Sequence, residues 1–168
     1  MQRRTVLALP LLALLPAAAR DGAPHLRIGS IEQLPRPLPA PYDASADAHL
    51  QVNFALARAK ASGKPLLIDF GANWCADCRV LAGVLDLPEM KPWLARKFEL
   101  VQVDVGRFDR NLDIPRRFSG TEMNAIPAVH IVDGRTGKLR NHGEELALGD
   151  ARVMSPQAIA DWLAKWTR

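Results

Sequence analysis

The chain has 168 residues, of which 48% are hydrophobic, with 22 basic and 18 acidic side chains. This length and composition fit one globular domain with a core of its own. The formal net charge of +4 is too small to indicate nucleic-acid binding, and no basic stripe interleaved with aromatic residues is present. Cys75 and Cys78 are the only cysteines, which excludes a disulfide-rich scaffold.

The first 19 residues have the pattern of a secretory signal peptide. Arg3 and Arg4 form a basic start, an apolar run from Val6 to Leu15 follows, and Ala17–Ala19 offers small residues for cleavage. The run is short for a bilayer crossing, so we expect a protein that is not integral to the membrane after signal removal. The arginine pair leaves both the general and the twin-arginine export routes open. The expected location is periplasmic or secreted, in an oxidising compartment.

Residues 20–45 are predicted to form a proline-rich arm or linker. Pro35, Pro37, Pro39 and Pro41 alternate, which favours an extended polyproline conformation. We interpret the segment as a spacer or as an arm lying on the domain, and we assign it no chemistry. The domain itself is then expected to cover residues 46–168.

A first helix is predicted over residues 46–62, with Gly63 as its stop. Its buried face is expected to carry the apolar residues at helical spacing: Leu50, Phe54, Ala57 and Ala61.

Apolar runs after this helix predict strands at residues 66–70, 100–105 and 128–132. A turn signal after the third run leads into a fourth strand near Leu139. A final helix is expected to begin at Ser155 and Pro156, as cap and first residue.

The stretch between the first strand and the next helix holds both cysteines. After Leu66 to Phe70 come a small-residue turn, Trp74, Cys75, two further residues and Cys78. The helical pattern that follows places Cys75 at a helix start, where backbone N–H groups and the helix dipole stabilise a thiolate. A thiolate attacks a disulfide, and Cys78 is close enough to close a ring with Cys75 and release what it has captured. The spacing therefore predicts an attacking and a resolving sulfur.

A zinc site is the other reading of a Cys-x-x-Cys pair. Four ligands would require two histidines as partners, and the histidines of this chain lack the paired spacing of strong zinc motifs: His25, His49, His130 and His142. We therefore predict no metal and no cofactor. His130 is interpreted as a packed strand residue without a chemical role.

The order of strand, Trp-Cys-x-x-Cys turn, helix, strand, and Ile126–Pro127 before another strand resembles the thioredoxin superfamily. The resemblance covers roughly residues 46–166. The segment that leads into the first strand, Ser62–Pro65, and the strand Leu100–Asp104 resemble the corresponding segments of the periplasmic thioredoxin-like domains of thiol:disulfide interchange proteins. The resemblance implies an α/β thioredoxin fold, with a central mixed β-sheet flanked by helices, here carrying an N-terminal extended arm.

The resemblance also implies a role for Asp69, which matches the family's buried acid beneath the cysteines. A carboxyl in that position would have a raised pKa and would relay a proton for Cys78. Gln102 stands where thioredoxins place a lysine opposite the acid, which leaves Asp69 without a cationic neighbour. The plainer alternative is that Asp69 faces solvent from its strand.

A substrate surface is implied in the same way. Pro127 matches the family's cis-proline, packed against the disulfide, and the backbone of Ile126 would then pair with an extended substrate segment. Trp74 would shape the surface around Cys75. An ordinary trans proline at a strand start is the alternative for Pro127.

These features together predict a secreted thiol–disulfide oxidoreductase that acts on protein thiols and disulfides and draws on an unidentified electron donor. The reductant direction is favoured because Asp77, between the cysteines, puts a carboxylate near the thiolate and disfavours it. A less stabilised thiolate makes a weaker oxidant. Two alternatives stay open: a non-catalytic binding or chaperone module with a static disulfide, and a disulfide oxidase or isomerase.

Overall fold

The computed structural model describes residues 22–167, so the predicted signal peptide at residues 1–19 lies outside it. In chain order the described elements are α1 (Ala48–Ser62), β1 (Leu66–Gly71), α2 (Ala76–Leu85), α3 (Met90–Lys97), β2 (Glu99–Asp104), α4 (Asp113–Ser119), β3 (Ala128–Val132) and α5 (Pro156–Ala164). Short 3-10 turns lie at Ile31–Gln33 and Ala151–Val153. Within this range, every helix is too short or too polar to cross a membrane.

Strand β1 is the centre of a mixed sheet in the order β2-β1-β3. It runs parallel to β2 and antiparallel to β3, and every residue of β1 is buried. A parallel neighbour requires a long crossover, which α2 and α3 supply. In this register Asp69 lies opposite Gln102 on one side and Val129 on the other. The α/β arrangement expected from the sequence is thus present, with helices on both faces.

The fourth strand expected near Leu139 is wrong, because Leu139 makes only an isolated antiparallel bridge to Val132. Backbone pairing beside β3 near Leu139 extends from the carbonyl of Lys138 to the N–H of Arg140, and a side chain then meets the next backbone groups of β3. The buried amide of Asn141 accepts from the backbone N–H of Ile131 and donates to the carbonyl of Val129, both at 2.8 Å. With these backbone groups satisfied, the edge of β3 needs no regular neighbour there.

The predicted buried face of α1 is also wrong. Leu50 and Phe54 are 51% and 59% exposed, and Ala57 and Ala61 are exposed as well. The helix carries a second apolar face of mostly small residues, which packs against the sheet: Ala48, Val52, Ala55 and Ala59. Both faces have apolar residues at helical spacing, so the sequence pattern does not choose between them. The face with the smaller side chains is the buried one because it lets the helix pack more closely against the sheet.

Two clusters of buried residues lie on opposite faces of the sheet, one with α2, α3 and α5 and the other with α1 and α4. The proline-rich segment joins the first cluster through Leu26, Ile31 and Leu34, so it lies on the domain as an arm. Side chains alternate along a strand. Since Leu67 belongs to the first cluster, Asp69 points to the face that α2 covers.

Gly71 gives a test of how the arm docks. A Cβ at this position would overlap ring carbons of Tyr42, the buried residue at the end of the arm. Gly71→Ala should therefore lower the free energy of unfolding by about 1–3 kcal/mol, as overpacking typically does. Urea denaturation measures the change.

The matched control is Gly29→Ala in the same arm. A Cβ there meets no atom closer than 3.9 Å, so its stability should stay within about 0.5 kcal/mol of the native chain. Equal midpoints for both variants would contradict the position of Tyr42 against β1.

Candidate active site

Cys75 and Cys78 form a disulfide at the start of α2, with Cα atoms 5.3 Å apart. Cys75 is the N-cap residue, and its Sγ accepts a hydrogen bond of 3.2 Å from the backbone N–H of Cys78. Cys75 is 7% exposed, whereas Cys78 is fully buried. A thiolate at Cys75 would be stabilised by this N–H and by the helix dipole. Of the two cysteines, only Cys75 keeps some exposed surface.

The carboxylate between the cysteines is not free, which the sequence did not reveal. Asp77 accepts from the backbone N–H of Arg152 at 2.9 Å and from its guanidinium Nε at 3.0 Å. This pair joins the first turn of α2 to the 3-10 turn Ala151–Val153. The guanidinium offsets part of the negative charge that Asp77 would otherwise present to Cys75.

The Ile126–Pro127 peptide bond is cis, and the Ile126 carbonyl oxygen lies 3.8 Å from the Sγ of Cys75. Pro127 is buried, and Ile126 packs against Cys75 and Cys78. The backbone beside the outer sulfur is therefore the part of the chain that a bound peptide would meet. The roles predicted for Ile126 and Pro127 stay predictions, with the geometry that they need in place.

Trp74 presents an exposed ring next to the outer cysteine. The side chain is 51% exposed, and its Nε1 donates to the carbonyl of Gly106 at 2.8 Å. The guanidinium of Arg107 lies over the ring, 5.2 Å from its centroid. Held from both sides, the ring forms one wall of an open cleft of about 350 Å³ that Asn73 and Arg110 also line.

Asp69 is fully buried, so the solvent-facing alternative is wrong. Its Oδ2 accepts from the Tyr42 hydroxyl at 2.9 Å and from Gln102 Nε2 at 3.1 Å. Its Oδ1 has no hydrogen-bond partner among the described residues. Burial raises the pKa of Asp69 to about 6, and the hydrogen bonds from Gln102 and Tyr42 limit the rise. Such a carboxyl can exchange a proton near neutral pH.

Tyr42, like Arg152, is a residue that the sequence did not point to. It is the one tyrosine of the chain and lies in the arm to which we assigned no chemistry. Asn73 fixes its backbone, accepting from its N–H at 3.1 Å and donating to its carbonyl at 2.8 Å. Burial, and then the nearby Asp69 carboxylate, raise the pKa of Tyr42 well above its usual value. The hydroxyl therefore stays protonated and donates.

His130 stands apart from this site. It is buried in β3 and packs edge-on against Phe70, with ring centroids 4.9 Å apart. Because Phe70 and Asp69 alternate along β1, this contact lies on the opposite face of the sheet. Burial lowers the pKa of His130 to about 4. Within residues 22–167, histidine, cysteine and carboxylate side chains form no group of three suited to a metal ion.

Asp69→Asn should change how stability depends on pH. The folded carboxyl titrates near 6 and the unfolded one near 3.8, so between these values only the native state holds the proton. The contribution of the Asp69 carboxyl to the free energy of unfolding should be fully present below about pH 4. It should be lost as the pH rises through 6, by roughly 3 kcal/mol in all. Asp69→Asn has no carboxyl to titrate at this position. Relative to the native protein, the variant should therefore gain about that amount of stability as the pH rises.

Urea unfolding of both proteins from about pH 3.5 to 7.5 measures the difference. The disulfide forms are compared, because titrating thiols would couple to the carboxyl. A stability difference that stays constant across this range would contradict a titrating carboxyl at Asp69.

Comparison with known proteins agrees with this geometry. A family model described as thioredoxin-like matches residues 47–134. The thioredoxin of Haemophilus influenzae is 35% identical over 68 residues, 40% of this chain and 56% of its own length. The thioredoxin of Rickettsia felis is 26% identical over 106 residues, 62% of this chain and 83% of its own. The chain thus spans little more than half the length of the first curated relatives that it matches.

A solved structure extends the likeness over most of the described chain. The disulphide isomerase of Xylella fastidiosa Temecula1 superposes with a TM-score of 0.72 at 44% sequence identity. The match covers 78% of this chain and 99% of that one. With the family model covering more than half of the sequence, the chain belongs to the thioredoxin-like family.

Proposed function

We propose that the protein is a thiol–disulfide oxidoreductase that exchanges electrons with protein disulfides through Cys75 and Cys78. The observation that carries the proposal is the disulfide at the N-terminus of α2, with a slightly exposed outer cysteine and a fully buried inner one. A purely structural disulfide would need neither a helix N-terminus at its outer sulfur nor a buried carboxyl with a pKa near neutrality on the adjoining strand.

The reduced protein would act in two steps. The Cys75 thiolate attacks one sulfur of a substrate disulfide, forming a mixed disulfide and releasing the other sulfur as a thiolate. Cys78 then gives its proton to the Asp69 carboxylate and attacks the Sγ of Cys75. The Cys75–Cys78 disulfide forms, and the second substrate sulfur leaves as a thiolate, which takes up a proton from Asp69 or from solvent. Two electrons pass to the substrate, and a separate donor, which we do not identify, must reduce the protein again.

A substrate peptide is proposed to lie along the backbone at Ile126. An extended segment there would bring its disulfide to Cys75, which is 3.8 Å from the Ile126 carbonyl oxygen. The exposed ring of Trp74 offers apolar contact without selecting one sequence. Protein thiols and disulfides are therefore the proposed partners.

The proposed direction is reduction of substrates. No basic residue stands between the cysteines, since Ala76 and Asp77 occupy those places. The Arg152 guanidinium weakens the charge argument, because it offsets the Asp77 carboxylate. What supports the direction is that the pair has little net charge, so the Cys75 thiolate gains stabilisation from the helix terminus alone.

A disulfide isomerase is the second candidate, because the similar protein from X. fastidiosa is described as one. Insulin reduction with dithiothreitol as donor, beside refolding of scrambled ribonuclease, separates the candidates. The proposal expects insulin reduction well above the dithiothreitol background, lost in Cys75→Ser. Background rates in both assays would support a static disulfide in a binding module. Ribonuclease recovery with little insulin reduction would favour the isomerase.

We also propose export to the periplasm or the medium, supported by the pattern of residues 1–19. N-terminal sequencing of the exported protein should then begin near Arg20. A cytoplasmic protein that keeps Met1 would contradict the proposed location.

The Asp77–Arg152 pair predicts opposite shifts of redox potential in two variants. Arg152→Gln leaves Asp77 uncompensated, which destabilises the Cys75 thiolate and should make the potential more negative. Asp77→Asn removes the negative charge and should make it more positive. Because the Arg152 side chain is 61% exposed, we expect shifts of only about 5–20 mV. Equilibration with glutathione measures them, and shifts of the same sign would contradict an electrostatic effect.

A further inference from the structure

The hydroxyl of Tyr42 makes a contact at the site that the two-step exchange does not use. It donates to Oδ2 of Asp69 at 2.9 Å, and Gln102 Nε2 donates to the same oxygen at 3.1 Å. The other oxygen, Oδ1, is buried without a hydrogen-bond partner in the described part of the chain. The two oxygens of one carboxyl therefore have different surroundings.

This asymmetry decides which oxygen carries the proton. An oxygen that accepts two hydrogen bonds has its lone pairs engaged, so the proton of the neutral acid lies on the other oxygen. When the carboxyl ionises, both donors stabilise its charge. We propose that Tyr42 is a positioning residue of the proton transfer, which with Gln102 occupies Oδ2 and leaves Oδ1 as the oxygen that gains and loses the proton. The inference rests on the proposed function and gives the N-terminal arm, through Tyr42, a part in the proton transfer.

The arm is fixed so that Tyr42 can hold this position. Asn73 binds both backbone groups of Tyr42, and Asn73 is two residues before Cys75 in the same turn. Gly71 leaves room for the ring, and Tyr42 belongs to one buried cluster with the two cysteines. The hydroxyl is thus fixed relative to the carboxyl and to the reacting sulfurs together, which a mobile linker could not achieve.

Among the residues that the structure describes, Tyr42 is the only ionisable side chain that shifts the pKa of Asp69. Burial and the hydrogen bonds from Gln102 and Tyr42 account for the pKa of Asp69, and β3 presents the apolar Val129 opposite it. The charged groups on the elements packed around Asp69 have other contacts: Asp77 with Arg152, Arg79 with the carbonyls of Leu38 and Pro39, Glu99 with Arg58, and Asp104 with Arg110, while His130 lies on the opposite face.

Tyr42→Phe keeps the ring and removes the hydroxyl. With one donor lost, the charged form of Asp69 is less stable, and the pKa of Asp69 should rise by about 1. Carbon-13 NMR of the aspartate carboxyl groups in the disulfide form measures this directly, with Asp69→Asn identifying the signal. Gln102→Met removes the other donor and should move the pKa in the same direction, which covers the case in which Tyr42→Phe does not fold. An unchanged pKa overturns the proposal.

The kinetic consequence belongs to the second step only. Attack by Cys75 should be unchanged, while resolution of the mixed disulfide by Cys78 should slow about threefold near pH 6.5 and recover near pH 8. In the Asp69→Asn background, Tyr42→Phe should have no further effect on resolution. A slowing that persists in that background would mean that Tyr42 acts through packing, and it overturns the proposal.

Leu34→Ala is the control for the arm as a whole. Leu34 lies in the same arm but packs in the cluster of α2, α3 and α5, whereas Tyr42 packs with the cysteines, so this variant should lose stability without moving the pKa of Asp69. A rise in the pKa of Asp69 equal to that in Tyr42→Phe would overturn a specific role of the hydroxyl. The carboxyl titration needs no activity, so it tests Tyr42 even if the protein reduces no disulfide. Failure of insulin reduction would instead remove the proposed function.

Discussion

The buried carboxyl of Asp69 is the constraint on which the rest of the site depends. A carboxyl without solvent is costly unless hydrogen bonds compensate it. Here the compensation comes from two elements, β2 through Gln102 and the N-terminal arm through Tyr42. Both donors are neutral, so they stabilise the charged form without the full effect of a cation, and the pKa of Asp69 lies at about 6. A carboxyl in this range can accept and return a proton at neutral pH.

The arm that carries Tyr42 is held on the domain by contacts along its length. Its apolar side chains bury themselves among α2, α3 and α5, and its last residues bring Tyr42 to the sheet. Between these two parts of the arm, Arg79 of α2 donates hydrogen bonds to the carbonyls of Leu38 and Pro39. Prolines restrict the backbone before it docks, so the loss of conformational entropy when the arm binds the domain is small. The arm is therefore part of the candidate active site.

The parts of the fold that the sequence predicted are those with a local signal. Strands β1 and β3 follow from apolar runs, and α2 and α5 follow from the cysteine turn and from the Ser155 cap. The prediction of the buried face of α1 was wrong because that helix has apolar residues at helical spacing on two faces. The prediction of a strand at Leu139 was wrong because the pairing ends after one bridge, and the Asn141 side chain then bonds the backbone of β3. Both outcomes depend on tertiary contacts that no window of sequence contains.

The site shows the same division. Cys75, Cys78, Asp69 and Pro127 were predicted as site residues from a motif and a family likeness. Tyr42 was not, because its contact with Asp69 joins residues 27 positions apart with no pattern between them. The Asp77–Arg152 pair spans 75 positions and was equally hidden.

The assignment of Cys75 to attack and Cys78 to resolution is tested most directly by trapping the mixed disulfide. Reduced Cys78→Ser, mixed with a disulfide-bonded peptide, should accumulate a covalent adduct at Cys75 that intact-mass measurement detects and dithiothreitol removes. Cys75→Ser should form almost none, because the buried Cys78 cannot reach the substrate. A stable adduct at Cys78 in Cys75→Ser, with none in Cys78→Ser, would contradict the assignment.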